Sequence, residues 1–381
     1  MAHLVAIDLP GGPSFVAALQ REWDAGNAVL PVDRRLPTAA RAALFESLAP
    51  DRLLDEEGVH QLRGRGVEAG DALVIATSGA TGTAKGVVLT HEAVRASAVA
   101  TSTRLGITAA DTWLACLPLA HVGGLSVVTR ALHLNVQLIV HDGFDADRVQ
   151  AAAREGATAV SLVTTALQRI DPSLFRVIVL GGSQPPADRP ANVHTTYGLT
   201  ETGSGVVYDG LPLDGVELRI GANDEVLVRG PMLLRCYRDG STPVDSDGWL
   251  HTGDVGNFLP DGRLNVQGRA DDLIITGGEN VWPEVVESVL GAHAAVGDVA
   301  VVGVPDSKWG QRVVAWIVPN GQAPSLAELR AHVLESLPGF YVPKELHIVD
   351  ALPRTTLGKV QRYLLTPSAD ARSTDDCSSH D

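Results

Sequence analysis

The sequence predicts an α/β protein with a large N-terminal domain of layered sheets and helices and a small α+β C-terminal domain. Two observations predict the large domain: short apolar runs alternate with longer alanine-rich stretches, and the pattern then changes to period-two segments. A third observation predicts the small domain, because a compact pattern of helices and strands restarts after Arg269. At 381 residues the chain can bury one large core and add a second domain.

The predicted elements of the large domain follow one another along the chain. Strands are predicted at the apolar runs of residues 72–76, 112–117, 137–141 and 177–180. Helices are predicted at the alanine-rich stretches of residues 92–105 and 146–155. Between Gly215 and Tyr237, two segments that alternate polar and apolar residues flank Gly-Ala-Asn-Asp at 221–224. This arrangement predicts a β-hairpin at the end of the large domain.

The small domain is predicted from helix signals and apolar runs. Pro283 suits a first helical turn, and it precedes a stripe of apolar residues at helical spacing. Strands are predicted at 299–304 and 312–318. Ser325 and Glu328 form a capping box for a helix over 326–337, which Pro-Gly at 338–339 ends. We therefore expect domains at 1–268 and 269–365, followed by a disordered tail at 366–381 that is rich in Ser, Asp and Ala.

Composition limits the classes of partner. The chain has 45 acidic and 30 basic residues and a net charge of −15, which argues against nucleic acid as a partner. Cys116, Cys236 and Cys377 are scattered without CxxC spacing, which fits a reducing compartment and argues against a structural zinc site. The N-terminus lacks a basic n-region, and no apolar run approaches the length of a membrane span. A cytoplasmic protein without membrane insertion is expected.

Residues 76–86, Ala-Thr-Ser-Gly-Ala-Thr-Gly-Thr-Ala-Lys-Gly, combine hydroxyls, glycines and one lysine directly after a predicted strand. Backbone N–H groups, hydroxyls and an ammonium group suit phosphate oxygens, although a solvated turn is the alternative. The loop is not a Walker A motif, because only two residues separate Gly82 from Lys85. The predicted phosphate ligands are Thr77, Ser78, Gly79, Thr81, Gly82, Thr83 and Lys85.

Four further motifs follow the loop in order. They are Tyr-Gly-Leu-Thr-Glu-Thr at 197–202, Gly-Trp-Leu-His-Thr-Gly-Asp at 248–254, Gly-Arg-Ala-Asp-Asp at 268–272 and Gly-Lys-Val-Gln-Arg at 358–362. The ordered set resembles the adenylate-forming superfamily, which includes acyl-CoA synthetases, adenylation domains of peptide synthetases and luciferases. The resemblance covers about residues 72 to 365, and it implies that the C-terminal domain is mobile.

A short stretch of about 70 residues precedes the loop, and residues 205–216 read Gly-Val-Val-Tyr-Asp-Gly-Leu-Pro-Leu-Asp-Gly-Val. Both features resemble the compact bacterial o-succinylbenzoate–CoA ligases of menaquinone biosynthesis, in their actinobacterial branch. The resemblance implies an AMP-forming acid–thiol ligase that uses ATP, Mg²⁺, coenzyme A and a small carboxylic acid; a homodimer is a further expectation. The alternatives are another aromatic or aliphatic acid, transfer to a carrier protein, and a nucleotide-binding protein without turnover.

The resemblance also implies roles for single residues. Lys359 would lie between the carboxylate and the α-phosphate, and Glu201 would bind Mg²⁺, although it could instead cap a helix. Together with His121 and Thr77 they make up the expected catalytic set. The remaining expected ATP-binding residues are Gly182, Ser183, Thr195, Thr196, Tyr197, Gly198, Thr200, Asp254 and Arg269.

The expected acyl pocket contains His121, Gly124, Arg130, Gly181, Gly182 and Thr196. Three alternatives stay open: His121 as a core residue, Arg130 as a surface residue, and the glycine pair as a plain turn at a strand end. The resemblance disfavours an amino acid substrate, because amino-acid-activating members carry an aspartate shortly before the position of His121, and no acidic residue lies between Asp111 and Asp142 here. For thioester formation, the resemblance implies rotation of the small domain about Asp271, with Gly277 and Gly278 lining a tunnel for coenzyme A.

Overall fold

The computed structural model describes residues 2–78, 84–182, 188–354 and 360–365, which form two compact units. The first unit contains the chain up to Thr252 together with Gly256–Val266. The second contains Gly253–Val255 and continues from Gln267. The predicted tail at 366–381 lies outside the described residues.

The elements of the described residues are numbered in chain order. The strands are β1 (Leu4–Ile7), β2 (Ala28–Pro31), β3 (Arg52–Asp55), β4 (Gly58–Gln61), β5 (Asp71–Ser78), β6 (Ala84–Thr90), β7 (Thr112–Ala115), β8 (Gln137–Val140), β9 (Ala159–Leu162), β10 (Val177–Leu180), β11 (Val193–Leu199), β12 (Ser204–Tyr208), β13 (Leu211–Pro212), β14 (Glu217–Ile220), β15 (Glu225–Arg229), β16 (Cys236–Tyr237), β17 (Leu250–Phe258), β18 (Leu264–Arg269), β19 (Ile274–Thr276), β20 (Glu279–Val281), β21 (Val296–Asp306), β22 (Gly310–Pro319) and β23 (Glu345–Ile348). The α-helices are α1 (Pro13–Asp24), α2 (Thr38–Leu48), α3 (His91–Arg104), α4 (Val122–Leu134), α5 (Ala146–Arg154), α6 (Thr164–Leu167), α7 (Pro283–Gly291) and α8 (Leu326–Leu334).

The first sheet of the first unit has seven strands in the order β16–β6–β5–β2–β1–β3–β4. Its strand β1 pairs in parallel with β2 and β3, and β2 pairs in parallel with β5. All four residues of β1 are buried, since Val5 and Ile7 enter one apolar cluster while Leu4 and Ala6 enter another. A parallel strand covered on both faces has this uninterrupted apolar sequence.

The second sheet has the order β13–β12–β11–β10–β9–β7–β8, in which β7 to β11 run parallel and β12 and β13 are antiparallel. The predicted strands appear in β5, β7, β8 and β10, and the two predicted helices appear as α3 and α5. These predictions are confirmed. Because the carboxyl ends of parallel strands meet at one edge of a sheet, the residues after β7, β10 and β11 share that edge.

The predicted hairpin is confirmed as β14 and β15, which pair from Glu217 opposite Arg229 to Ile220 opposite Val226. Its turn includes Asn223 and Asp224, both with positive φ. The hairpin belongs to a four-stranded sheet in the order β14–β15–β17–β18.

The second unit is built on a long antiparallel pair, β21 and β22, with β19, β20 and β23 completing a five-stranded sheet. Helices α7 and α8 cover it with buried apolar side chains. The capping box is confirmed, because the hydroxyl of Ser325 accepts from the N–H of Glu328. The predicted end of this helix is wrong by three residues: α8 ends at Leu334, and 335–337 form turns before Pro338, which disfavours a helical residue ahead of it.

None of the helices in the described ranges combines the length and the apolar composition needed to cross a bilayer.

Candidate active site

The predicted phosphate loop joins two antiparallel strands, β5 and β6, which pair with Thr77 opposite Lys85. The loop expected over 76–86 is therefore shorter in the structure, because its first and last three residues extend the strands. The Thr77 hydroxyl donates to the carbonyl of Lys85 at 3.3 Å and ties the two flanks together. Ser78 ends β5. The other predicted phosphate ligands, Gly79, Thr81, Gly82 and Thr83, lie outside the described residues.

Gly86 has a packing role that the sequence did not indicate. A Cβ at this position would lie 2.7 to 3.0 Å from the side chains of Leu48, Val74 and Arg238. Glycine therefore allows close packing of these side chains, a role separate from the predicted approach to an anion.

Glu201 lies in the 3-10 turn Thr200–Thr202 that follows β11. The start of this turn is capped by Thr202 and not by Glu201, because the Thr202 hydroxyl accepts from the N–H of Leu199 at 2.9 Å. The hydroxyl of Tyr237 donates to Glu201 Oε1 at 2.9 Å, and Lys85 Nζ lies 4.8 Å from the centre of the same Tyr237 ring. An ionised carboxylate can accept this hydrogen bond and still bind Mg²⁺, which prefers carboxylate and phosphate oxygens. The donor set therefore fits this metal.

The ends of β10 and β11 bring together several residues that are expected to bind the nucleotide and the acyl group. The hydroxyl of Thr196 is buried and has no hydrogen-bond partner among the described residues, and a Cβ on Gly181 would lie 3.2 Å from the Thr196 methyl group. Gly182 has a φ of +90°, so the strand-end turn is present. The hydroxyl and N–H of Thr195 donate to Asp209. Ser183 lies outside the described residues.

Tyr197 and Gly198 stand at an irregularity in the pairing of β11 with β12. A Cβ on Gly198 would lie 2.3 Å from the carbonyl oxygen of Ser204, so only glycine allows β12 to approach here. The side chain of Tyr197 is half-buried and packs against the main apolar cluster of the first unit. Thr200 follows directly as the first residue of the turn that carries Glu201.

His121 is the residue before α4, and its Nε2 lies 3.3 Å from Asp33 Oδ2. Asp33 is buried and accepts two hydrogen bonds of 2.8 Å from the Arg35 guanidinium. Burial by itself would raise the pKa of Asp33, but the hydrogen bonds from Arg35 and His121 outweigh it and hold the pKa well below its usual range. Asp33 is not among the site residues predicted from the sequence. Its position two residues after the buried strand β2 is the signal that could have found it.

Helix α4 carries the other two expected acyl-pocket residues. A Cβ on Gly124 would lie 2.5 Å from the carbonyl oxygens of Leu117 and Pro118, so glycine lets the helix start pack against this turn.

Arg130 is 2% exposed, and the surface alternative for it is wrong. Its Nη2 donates to the Ser204 hydroxyl, and its guanidinium lies 5.6 Å from the ring centre of Trp113. Its Nε and Nη1 are buried without hydrogen-bond partners among the described residues. Burial lowers the pKa of this guanidinium.

The second unit holds the remaining expected residues. Asp254 is buried and forms an ion pair with Arg269, whose Nη1 lies 3.2 Å from Asp254 Oδ1. Asp271 is exposed in the 3-10 turn Ala270–Asp272. Lys359 lies outside the described residues.

Gly277 and Gly278 form the turn between β19 and β20, with φ values of +62° and +87° that favour glycine. A Cβ on Gly277 would lie 2.9 Å from the ring of Trp309. Trp309 is 37% exposed, and Lys308 Nζ and Lys344 Nζ lie 5.0 and 4.6 Å from its ring centre. This exposed aromatic residue, with two ammonium groups beside it, is not among the residues predicted from the sequence.

The chain matches known families and curated relatives over most of its length. Residues 63–238 match the family model described as AMP-binding enzyme, and residues 285–359 match the AMP-binding enzyme C-terminal domain. The chain is 41% identical over 323 residues to a probable 2-succinylbenzoate–CoA ligase of Mycobacterium tuberculosis, covering 77% of this chain and 83% of the relative. It is 36% identical over 329 residues to the 2-succinylbenzoate–CoA ligase of Bacillus anthracis, covering 76% and 68%.

Solved structures give the same result. The o-succinylbenzoate CoA synthetase (MenE) of Bacillus subtilis in complex with the acyl-adenylate intermediate OSB-AMP superposes with a TM-score of 0.87 and 29% identity, covering 97% of this chain and 88% of that chain. The same synthetase in complex with ATP and magnesium ion gives a TM-score of 0.84 and 28% identity, covering 95% and 89%.

Proposed function

The chain belongs to the AMP-binding enzyme family, and we propose that it is an ATP-dependent acid–thiol ligase that converts 2-succinylbenzoate to 2-succinylbenzoyl-CoA. In the first half-reaction a carboxylate oxygen attacks the α-phosphorus of ATP and pyrophosphate leaves. In the second, the thiol of coenzyme A loses its proton and attacks the acyl carbon, and AMP leaves. The identities to two ligases of this specificity support the proposal.

The burial of Arg130 is the observation that carries the substrate assignment. The acid 2-succinylbenzoate has two carboxylates, and activation of one leaves the other as an anion that needs a cation. Arg130 is a buried guanidinium with two unpartnered nitrogens among the described residues, on the helix that begins after His121. Buried N–H groups of a charged side chain are costly when they have no acceptor, whereas a guanidinium and a carboxylate form strong paired hydrogen bonds. A second carboxylate of the substrate would satisfy Arg130.

The residues near the hairpin β5–β6 suit the ATP phosphates. Thr77, Ser78 and Lys85 would donate to phosphate oxygens together with residues 79–83, and Glu201 would hold Mg²⁺. When bound, Mg²⁺ neutralises and orients the phosphates. Lys359 would supply the cation between carboxylate and α-phosphate.

Residues of the second unit would bind nucleotide groups and serve the second half-reaction. Asp254 and Arg269, held together as an ion pair, would meet the ribose and phosphate. The exposed ring of Trp309 beside two lysines suits an adenine ring with nearby phosphates, as coenzyme A carries. Rotation about Asp271 would bring Gly277 and Gly278 to the thiol. A homodimer and a cytoplasmic location remain predictions of the sequence.

An acid panel tests the proposal. The protein is incubated with ATP, coenzyme A and 2-succinylbenzoate, benzoate or octanoate, and AMP is followed; 2-succinylbenzoate should give the highest kcat/KM. Arg130→Met should lower kcat/KM for 2-succinylbenzoate about a hundredfold, equal to the loss of about 3 kcal/mol for a paired charge, and leave benzoate within about twofold. Arg95→Met, at an exposed position of α3, is the matched control.

Each contrary outcome removes a defined part of the proposal. Equal turnover of benzoate or octanoate would remove the substrate assignment and leave the ligase class intact. Adenylation without transfer to coenzyme A would favour a carrier protein as acceptor.

A further inference from the structure

Tyr237 contacts two residues to which the proposed function gives separate tasks. Its hydroxyl donates to Glu201 Oε1 at 2.9 Å, and its ring face lies 4.8 Å from Lys85 Nζ. We infer that Tyr237 is a positioning residue for Mg·ATP, whose hydroxyl orients the Glu201 carboxylate toward the metal and whose ring seats the Lys85 ammonium toward the phosphates. This inference rests on the proposed function.

The backbone around Tyr237 is fixed on both sides. On one side, the N–H of Leu234 donates to the carbonyl of Glu201 at 2.7 Å. On the other side, Tyr237 pairs with Val87 of β6, and the N–H of Arg238 donates to the carbonyl of Gly86 at 2.7 Å. Residues 234–238 therefore connect the turn that carries Glu201 to the strand that carries Lys85. A side chain on this segment has a defined distance to both.

The hydroxyl and the ring act by different physical means. A hydrogen bond from a neighbouring group holds a metal-binding carboxylate in one orientation, and its loss typically weakens metal binding by tenfold or more. The ring attracts an ammonium group through its negative face, which contributes about a factor of three at an exposed site. The first contact should matter only when Mg²⁺ is present, and the second should matter with or without it.

Isothermal titration of the full-length protein with ATP, with Mg²⁺ or with EDTA, tests the hydroxyl. Tyr237→Phe keeps the ring, so it should weaken binding of Mg·ATP about tenfold and leave metal-free ATP within about twofold. Glu201→Gln should weaken Mg·ATP as well, and Tyr237→Phe should add nothing in that background. Tyr341→Phe, in the second unit, is the matched control, and thermal unfolding of each variant checks its fold.

Three results would contradict the inference about the hydroxyl. Parent-like binding of Mg·ATP by Tyr237→Phe beside weakened binding by Glu201→Gln would overturn it and leave the metal role of Glu201 intact. Equal weakening of ATP with and without Mg²⁺ would show that Tyr237 only supports the local structure. Parent-like binding of Mg·ATP by Glu201→Gln would refute the metal role itself, and the inference with it.

The ring is tested by Tyr237→Leu. This variant removes both contacts, so it should bind metal-free ATP about threefold more weakly than Tyr237→Phe does. The difference between Leu and Phe should vanish in a Lys85→Met background. Equal affinities of the two variants for metal-free ATP, with Lys85 present, would overturn the role of the ring.

Discussion

Asp33 shows how one carboxylate can determine the geometry of a candidate site. It is buried, it lies 3.3 Å from His121 Nε2, and Arg35 engages both of its oxygens. The partner of one histidine nitrogen decides which nitrogen carries the proton and how the ring is oriented. Asp33 therefore orients His121, the residue that the family resemblance places beside the acyl carboxylate.

Asp33→Asn tests this role. The amide keeps the shape of the carboxylate and removes its charge. We therefore expect kcat/KM for 2-succinylbenzoate to fall about tenfold, because only the use of the acid substrate is impaired, and we expect the KM for ATP to stay unchanged. Steady-state kinetics with each substrate varied in turn measure both values.

Asp55→Asn is the matched control, because it removes the carboxylate of an exposed pair with His60 on the β3–β4 turn. If Asp33→Asn changed the KM for ATP and for the acid alike, Asp33 would have a general structural role and not a specific one toward His121.

At the scale of elements, local patterns predicted well and long-range contacts did not. The apolar run that became β10 and the capping box of α8 follow from neighbouring residues, and both are confirmed. The extension of β5 and β6 into the predicted loop depends on pairing across the turn, and the burial of Arg130 depends on Trp113 and Ser204 from other elements. No local period encodes contacts of that kind.

Asp111 makes further long-range contacts, which lie at the amino ends of three parallel strands. Its carboxylate accepts two hydrogen bonds from Arg176, before β10, and one from the hydroxyl of Thr158, before β9; Asp111 itself precedes β7. Burial would raise the pKa of Asp111, but the bonds from Arg176, Thr108 and Thr158 outweigh it and lower the pKa to about 2. The cluster ties the starts of these strands together.

Acid should remove the contribution of Asp111 to stability. A carboxyl group whose pKa is lowered by folding stabilises the protein above its ordinary pKa near 4, and the effect is lost as the pH falls toward 2. We expect Asp111→Asn to lower the free energy of unfolding by about 2 kcal/mol at pH 7, but by only about 1 kcal/mol at pH 3. Urea unfolding followed by fluorescence between pH 7 and pH 3 measures the difference.

Asp147→Asn, on the exposed face of α5, is the control for general effects of charge. A stability difference for Asp111→Asn that stayed constant from pH 7 to pH 3 would contradict the lowered pKa.

At the scale of the whole molecule, the proposed roles are divided between the two units. The first unit contains strands β5 and β6, Glu201, His121 and Arg130. The second unit contains Asp254, Arg269 and Asp271. Within the second unit, Arg362, three residues after Lys359, pairs with Asp272 beside the proposed hinge and with Glu287 of α7. One guanidinium thus connects the motif that contains Lys359 to the residue next to Asp271.

This division predicts that the two half-reactions can be separated by mutation. If Lys359 bridges carboxylate and α-phosphate only during adenylation, Lys359→Ala should lose on the order of 3 kcal/mol of transition-state stabilisation, a hundredfold or more in that step. Supplied with preformed acyl adenylate, the variant should still form acyl-CoA at close to the parent rate. Asp271→Pro should do the reverse, because proline fixes φ at the hinge and traps the adenylating arrangement. Rapid quench of each half-reaction measures both rates. Equal loss of both half-reactions in both variants would refute alternation, and Lys359 would then be a residue needed for folding.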